Sequence, residues 1–203
     1  MNKTLLLKAS IIGCLLFSTL IGTAQENLKR HTIGISYGFG QGDFVQLTKV
    51  LVSPSYEGES VSKYGIQYAY DLNGVQLETG LHYLIQDVDL EFTSSPNGTQ
   101  IPKVITPHQF KLLSIPVGFR VNFLKYLFFN GAALIDIEVE NTGVRNQSAL
   151  GGSVGVGANY FFKNNIGIFV NPQIAHRALR YFKENSHQKY VERNISFGLA
   201  YKL

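Results

Sequence analysis

The last nine residues of the chain, ISFGLAYKL at positions 195–203, alternate strictly between apolar side chains and small or polar ones. The apolar positions are Ile195, Phe197, Leu199, Tyr201 and Leu203. Successive side chains of a β-strand point to opposite faces. The pattern therefore predicts a strand with one face against apolar surroundings and the other against polar or cramped surroundings.

Seven further stretches show the same period-two alternation, so the sequence predicts an all-β protein of eight strands. The predicted strands lie near residues 30–39, 63–72, 75–86, 110–123, 127–140, 153–162, 166–171 and 195–203. Asn73-Gly74 separates the second strand from the third and is the strongest short-range signal for a two-residue hairpin turn. Beyond Gln86 the apolar positions shift by one residue, to Val88 and onward. This shift indicates a bulge there, or a strand that leaves its apolar surroundings.

The predicted connections alternate between short and long. The short ones span residues 72–75, 123–127 and 162–166, and the long ones span residues 41–62, 93–109, 141–151 and 177–188. Outer-membrane barrels have short turns on the periplasmic side and longer loops outside, whereas a soluble sandwich has no reason to alternate in this way. A second interpretation stays open for residues 173–185, as a short amphipathic helix in the last loop.

The polar faces of the predicted strands are rich in small residues. They include Gly34, Ser36, Gly38, Gly65, Ala69, Gly80, Ser114, Gly118, Ala132, Ser153, Gly155, Gly157, Ser196, Gly198 and Ala200. Glycine weakens a strand wherever nothing requires it, and a water-facing surface more naturally carries Lys, Glu, Thr and Gln. Small side chains do fit the narrow lumen of an eight-stranded barrel. The sequence therefore favours an antiparallel, up-and-down transmembrane β-barrel whose apolar face meets lipid. The alternative is a soluble secreted barrel whose apolar face surrounds a small ligand.

Residues 1–24 have the features of a secretory signal peptide, with a basic start, an apolar stretch and the small-x-small cleavage site Gly22-Thr23-Ala24. Lipoprotein processing at Cys14 is a less favoured interpretation, because the apolar run continues past this residue. Residues 25–203 then form one barrel domain.

Removal of the leader would leave a chain without cysteine, because Cys14 is the single cysteine. This excludes a disulfide framework, thiol catalysis and a cysteine-based zinc site. The leader also contains Lys3 and Lys8, so 16 basic residues remain against 14 acidic ones, and the net charge falls from +4 to +2. With no basic run in addition, the sequence predicts no nucleic-acid partner.

Two segments resemble known outer-membrane proteins. The C-terminal assembly signal of bacterial outer-membrane β-barrels has a polar residue, a glycine two places later, and two closing apolar or aromatic positions. The residues that resemble it are Ser196, Gly198, Tyr201 and Leu203. The stretch LLSIPVG at residues 112–118 resembles a strand of small barrel proteins of the Bacteroidota porin-like family. This resemblance implies a location in the outer membrane, contact with outer-membrane lipid, and insertion by the barrel-assembly machinery.

Outer-membrane barrels that act on lipid A need a histidine together with Ser, Asp or Glu at the outer rim. None of the five histidines has a serine two residues away on one strand face. The best available group is His176 with Glu184 and His187. Polar residues are common at the rim and in the loops of a barrel, which explains this group more simply than catalysis or metal binding does. The sequence therefore predicts no catalytic, cofactor or metal site.

The resulting prediction is a non-enzymatic outer-membrane barrel with a side-chain-filled lumen. It would serve the envelope as a structural or surface-interaction protein, with an unknown surface or secretion-system partner at its outer loops. An outer-membrane enzyme acting on lipid A is the alternative within the same fold.

One ion pair is predicted inside the lumen, between Glu78 and Arg120. Glu78 lies four residues beyond Asn73-Gly74 on the third strand, and Arg120 lies three residues before Phe123 on the fourth. Both residues lie at positions of the alternation that are predicted to face the lumen, and both lie at a similar height above the turns. Because an unpaired charge in a narrow lumen is costly, we expect the two side chains to pair.

Overall fold

The computed structural model describes residues 30–46, 55–92, 104–139, 148–182 and 188–203, and the predicted leader lies outside these ranges. The described residues form eight strands: β1 (His31–Gln46), β2 (Ser55–Asp71), β3 (Val75–Phe92), β4 (Val104–Asn122), β5 (Leu127–Glu138), β6 (Ala149–Phe161), β7 (Ile166–Tyr181) and β8 (Gln188–Lys202). Each strand pairs antiparallel with the next, and β8 pairs with β1, so the sheet closes into an up-and-down barrel. The predicted fold class is confirmed. No helix in the described ranges is long and apolar enough to cross a membrane.

The strands are staggered around the barrel. A path that starts at Thr32 and steps from each residue to its directly paired neighbour returns to β1 at Gly42, ten residues further along. For eight strands this offset corresponds to a tilt of about 40° from the barrel axis. A barrel of this size has an interior just wide enough for side chains.

The three short turns and both described chain ends lie on one side of the barrel. Asn73 and Gly74 have φ angles of 60° and 106°, which a type I′ hairpin turn requires, and Leu72 N–H donates to Val75 O at 2.7 Å. At the chain ends, Leu203 N–H donates to His31 O at 2.9 Å. The predicted turn at Asn73-Gly74 is therefore confirmed, and this opening is called the turn side below.

The outer surface of the barrel is apolar. Ile66 on β2 is 65% exposed and Leu199 on β8 is 53% exposed, and the outward positions of the other strands are similar. Aromatic pairs frame this surface. Tyr126 and Tyr160 lie 5.8 Å apart near the turns, while Phe39 and Phe197 stack at 6.0 Å further from them. The two faces of the strands thus have the polarity that the period-two pattern predicts.

β3 departs from its predicted course. It runs on to Phe92, and Val88 faces inward with 1% of its surface exposed. The register shift lies in the neighbouring strand β2, between Gly58 and Val61, and β3 keeps one register with β4 through this region. The apolar shift beyond Gln86 therefore marks the point where β3 contributes to a buried apolar cluster.

β7 also departs from its prediction, because it continues through the region expected to be a loop or a helix. Residues 166–181 are strand, and the register with β6 shifts between Leu150 and Gly152. Opposite this shift, Ala178 has φ 57°, which is uncommon for a residue with a Cβ. The predicted strand ended at residue 171 because Pro172 interrupts the row of apolar outward positions, whereas the bulge lies further along, at Ala178.

β8 closes the barrel by pairing with β1, so a new charge on the lipid-facing side of β8 should impair insertion. Tyr201 and Leu203 point outward, so we expect Tyr201→Asp or Leu203→Asp to reduce the inserted protein about tenfold or more. A lipid-facing charge costs about 2 to 4 kcal/mol for Arg or Lys at the bilayer midplane, less for aspartate, and about 0 to 1 kcal/mol near the boundary, so most of the expected loss at the chain end comes from the disrupted assembly signal. The measurement is the amount of heat-modifiable folded protein in the membrane fraction.

Lys202→Asp is the matched control, because it places the same new charge on the other face of the same strand. We expect its membrane level to stay near that of the wild type. Equal membrane levels for all three variants would contradict the prediction that Tyr201 and Leu203 face lipid and belong to the assembly signal.

Candidate functional site

The lumen contains charged side chains that are shielded from solvent. The buried ones are Lys63, Arg120, Asp136, Arg177 and Glu192. They form two groups at different heights. Arg120 lies close to the turn side with Glu78. The other four form what we call the central network: Lys63, Asp136, Arg177 and Glu192.

Arg177 is the centre of the network. Its Nη2 lies 2.6 Å from Glu192 Oε2, and its Nη1 lies 2.6 Å from Asp136 Oδ1. The same Nη1 donates to Ser114 Oγ at 3.2 Å. Arg177 is 3% exposed and both carboxylates are fully buried. One guanidinium therefore joins β4, β5, β7 and β8 across the lumen.

Lys63 extends the network to β2. Its Nζ lies 3.5 Å from Glu192 Oε1 and donates to Asn194 Oδ1 at 3.0 Å. Asn194 in turn donates from Nδ2 to Glu192 Oε1 at 2.6 Å and accepts from Ser196 Oγ at 3.0 Å. Two cations and two carboxylates balance, and short hydrogen bonds surround the shared carboxylate. This is the arrangement that compensates the cost of burying ions.

The sequence pattern does not predict the central network. Arg177 was assigned to a loop, and the predicted last strand began only at Ile195. Extending the alternation of that strand backward would have given Glu192 the inward parity. Which inward charges then meet depends on the stagger of the strands, which the sequence pattern does not contain.

The structure does bring Glu78 and Arg120 together. Arg120 Nη2 lies 2.8 Å from Glu78 Oε1. In the β3–β4 register Glu78 is opposite Gly118 and Arg120 is opposite Gln76, so the two side chains are diagonal neighbours. The Arg120 guanidinium also lies 4.0 Å from the centre of the Phe128 ring.

Small inward residues make room for large ones. The Phe169 ring occupies the space of a side chain at Gly198, since a Cβ there would meet Phe169 Cζ at 2.2 Å. Between the two charged groups, a cavity of about 50 Å³ remains beside His82 and other polar side chains. Such a cavity holds a few water molecules at most. The lumen is otherwise occupied by protein at this height.

The outer part of the lumen is apolar. The buried cluster there consists of Val61, Leu84, Val88, Phe110, Leu112 and Tyr190. The rings of Phe110 and Tyr190 meet edge to face at 5.6 Å. Gln86 beside the cluster donates from Nε2 to Gly42 O at 2.7 Å. Side chains of β2, β3, β4 and β8 therefore close the lumen above the central network.

Of the four assembly-signal residues, two face the lumen and two face outward. Ser196 is buried within the network and Gly198 packs against Phe169, while Tyr201 and Leu203 are exposed on the outer surface. Their recognition during insertion stays a prediction.

The described residues contain no group of three or more His, Cys, Asp or Glu side chains that could hold a metal ion. His176 lies on β7 opposite Gly152. Glu184 and His187, the other two residues of that rim group, lie outside the described residues.

Residues 12–202 match the sequence model of the outer membrane protein beta-barrel domain. The chain belongs to this family. It is therefore a small outer-membrane β-barrel protein, and its apolar outer surface faces lipid. This finding overturns the soluble ligand-binding alternative. By the topology of such barrels, the turn side is the periplasmic side and the opposite opening is the outer side.

The chain is similar to several solved outer-membrane barrels. Neisserial surface protein A is 13% identical with a TM-score of 0.52, and the match covers 85% of this chain and 97% of that one. OprG from Pseudomonas aeruginosa is 10% identical with a TM-score of 0.49, covering 86% and 96%. Ail of Yersinia pestis is 14% identical with a TM-score of 0.45, covering 85% and 99%. No curated protein sequence matches the chain.

The central network predicts a large cost for losing its guanidinium. We expect Arg177→Met to lower the free energy of unfolding by about 3 to 5 kcal/mol, because Asp136 and Glu192 then stay buried without their partner. The measurement is urea unfolding in detergent micelles, followed by circular dichroism.

The matched control is Arg193→Met. Arg193 pairs with Asp43 at 2.9 Å on the outer surface, where the two side chains are 62% and 53% exposed. An exposed pair of this kind contributes about 0 to 1 kcal/mol. Equal losses for the two variants would mean that the central network does not stabilise the barrel.

The Glu78–Arg120 pair near the turn side is tested by a double-mutant cycle. We expect Glu78→Gln and Arg120→Met each to destabilise the barrel by about 3 kcal/mol, since each leaves a buried charge behind. The double variant should lose less than the sum of the two. Strictly additive losses, measured by the same urea titration, would show that the contact carries no coupling energy.

Proposed function

We propose that this protein is a non-enzymatic outer-membrane barrel of the Bacteroidota porin-like type, with a lumen that is closed by side chains. In this proposal it serves the envelope as a structural or surface-interaction protein. The observation that carries it is the filled lumen. A layer of paired charges and a layer of apolar side chains lie one above the other between the two openings of the lumen. We therefore assign the interactions of this protein to the residues on the outer side of the membrane.

The strands β2, β3 and β4 support a role at the outer side, because they continue as a sheet past the last β1–β2 and β4–β5 pairs. The last pair between β4 and β5 is Leu112–Glu138, while β4 continues to Val104 and stays paired with β3. These additional residues extend the strand by about 25 Å. The last pair between β1 and β2 is Gln41–Ser60, while β2 continues back to Ser55. We call this extension the projecting sheet.

Partners follow from the surfaces of the barrel. Outer-membrane lipid covers the apolar belt, and the barrel-assembly machinery recognises the closing strand during insertion. A surface or secretion-system partner contacts the projecting sheet and the outer loops. Both sides of the projecting sheet carry strand edges with unpaired backbone groups among the described residues, which is the kind of surface that a partner strand extends.

The test removes the projecting hairpin and keeps the barrel. Val88 pairs with His108, so replacing residues 89–107 by Asn-Gly converts this pair into the end of a two-residue hairpin. We expect normal folding and heat-modifiable migration, because the central network and the apolar cluster stay intact. Proximity cross-linking on intact cells should lose the partners that the wild type shows.

A barrel in which residues 140–147 are replaced by Asn-Gly serves as the control, since it shortens another outer connection. It should retain the cross-linked partners. Two results would contradict the proposal: unchanged partners after trimming of the hairpin, or an open-channel conductance of the wild type in planar bilayers.

A further inference from the structure

A groove of about 630 Å³ crosses the outer surface of the barrel obliquely, from β5 to β1. It follows a row of paired residues, in which Phe129 pairs with Val156, Pro172 pairs with Ile195, and Ile195 pairs with Phe39. All five side chains are exposed, so the groove lies on the lipid-facing side of the wall and not in the lumen. The stagger of the strands raises this row from β5 toward β1, so the groove rises toward the outer opening.

Aromatic rings border the groove at both ends, and smaller side chains lie between them. Phe129 borders the lower end on β5, and Phe39 borders the upper end on β1. Val154, Val156 and Pro172 lie between the two rings, and their side chains are shorter. An extended apolar chain placed between the rings would contact the valines along its length, and such dispersion contacts add up over a whole chain.

The upper end of the groove is basic. Arg193 lines it directly opposite Gln41 of β1, and its side chain is 62% exposed. At this height the outward side chains of β1 change from Phe39 to Gln41 and Asp43. Arg193 therefore lies at the outer boundary of the membrane, at the end of a groove that lies within it. Its Nη2 also lies 2.9 Å from Asp43 Oδ2.

Two more cations lie further out on the same surface. β8 keeps one register with β1 from Arg193 to Lys189, so these two side chains face outward together. Arg180 on β7 is exposed beside its exposed partner Leu150 on β6. Neither Lys189 nor Arg180 forms a salt bridge with another described residue. Among the described outward residues of β6, β7, β8 and β1 at this height, three cations thus face a single carboxylate, that of Asp43.

The groove and the cations lie on one face of the wall and share Arg193. A ligand that used both would need an apolar tail inside the membrane and an anionic head at its outer boundary. In a Gram-negative outer membrane the lipid of the outer leaflet has this build, since it is a phosphorylated sugar that carries several acyl chains. Glycerophospholipids lie in the periplasmic leaflet, on the other side of the bilayer.

We propose that the groove and its basic upper end form a binding site for the phosphorylated glycolipid of the outer leaflet, lipid A. One acyl chain lies in the groove against Val154 and Pro172. A phosphate lies at Arg193, and Lys189 and Arg180 add positive charge around the sugar. The site lies away from the projecting sheet, so it can be tested independently of the proposed function.

The test is native mass spectrometry of the full-length barrel, released from detergent with defined lipids in the presence of EDTA. The probes are lipid A with two phosphates, the same lipid without phosphate, phosphatidylglycerol, and inorganic phosphate. We expect the phosphorylated lipid A to be retained most strongly and inorganic phosphate not to bind. Equal retention of phosphatidylglycerol would show a general surface for anionic lipids and overturn the proposal. Retention of inorganic phosphate without lipid would overturn it as well.

Charge variants test the head of the lipid. Arg193→Gln and Lys189→Gln should each weaken phosphorylated lipid A about fivefold and leave the phosphate-free lipid nearly unchanged, the effect of about one surface charge on an anionic lipid. Asp43→Asn should instead strengthen retention, because it removes the carboxylate that competes for Arg193. Lys111→Gln is the matched control, since Lys111 lies near the same boundary on β4, across the barrel. Weaker retention by Asp43→Asn, or an equal loss for Lys111→Gln and Arg193→Gln, would contradict the proposal.

Volume variants test the tail. Val154→Phe fills the groove and should reduce retention of lipid A about tenfold with or without phosphate, and Val156→Phe is the second variant if the first does not fold. Val117→Phe is the matched control, because Val117 is 54% exposed on β4, Val154 is 53% exposed, and Val117 does not line the groove. If the control and Val154→Phe lose lipid equally, or if neither does, the proposal is wrong. A wild-type dimer that Val154→Phe dissociates would likewise overturn it, since the groove would then bind a second copy of the chain.

Discussion

The pairing of β8 with β1 is the constraint on which the rest of the structure depends. The seam runs from the Thr32–Lys202 pair to the Gln46–Gln188 pair, so the wall of the barrel has no free edge along the membrane. Lipid offers no partner to a backbone N–H or C=O group, and a sheet that crosses the membrane must therefore close. Closure with eight strands sets the lumen to the width of a few side chains.

A lumen of that width excludes bulk water, and this decides which side chains it can contain. Each inward charge needs a counter-charge within direct reach, because little solvent is left to screen it. Arg177 meets this requirement with two carboxylates, and Lys63 then balances the second one. Inward aromatic rings need glycine opposite them, as Phe169 does at Gly198. Charge is matched between strands that are not neighbours, as for Lys63 with Glu192, and volume is matched between the paired strands β7 and β8.

The sequence predicts those features that involve a single strand or two strands adjacent in the chain. Period two assigns the inward and outward faces, and Asn73-Gly74 positions the β2–β3 hairpin. Glu78 and Arg120 could be paired by counting from turns, because β3 and β4 are adjacent and their heights are related simply. Arg177 was missed because the predicted strand ended before Pro172, although Arg177 keeps the inward parity of Phe169 and Asn171. Its partner Glu192 lies on the neighbouring strand β8, whereas Asp136 lies on β5, and the approach of Asp136 depends on the stagger of the closed barrel.

The position of the outer membrane boundary follows from two independent observations. Among the described residues the two edges of the projecting sheet have no neighbouring strand, and edges of this kind do not lie in hydrocarbon, which places the boundary near the Val139 N–H to Lys111 O bond of 3.2 Å. The outward side chains change character at the same height, from Phe39 to Gln41 and Asp43 along β1. The ten residue steps from His31 to Gln41, tilted by about 40°, rise about 25 Å, which is the height of the apolar band of an outer-membrane barrel. Backbone pairing and side-chain polarity therefore define the same layer, and the projecting sheet lies on the outer side of it.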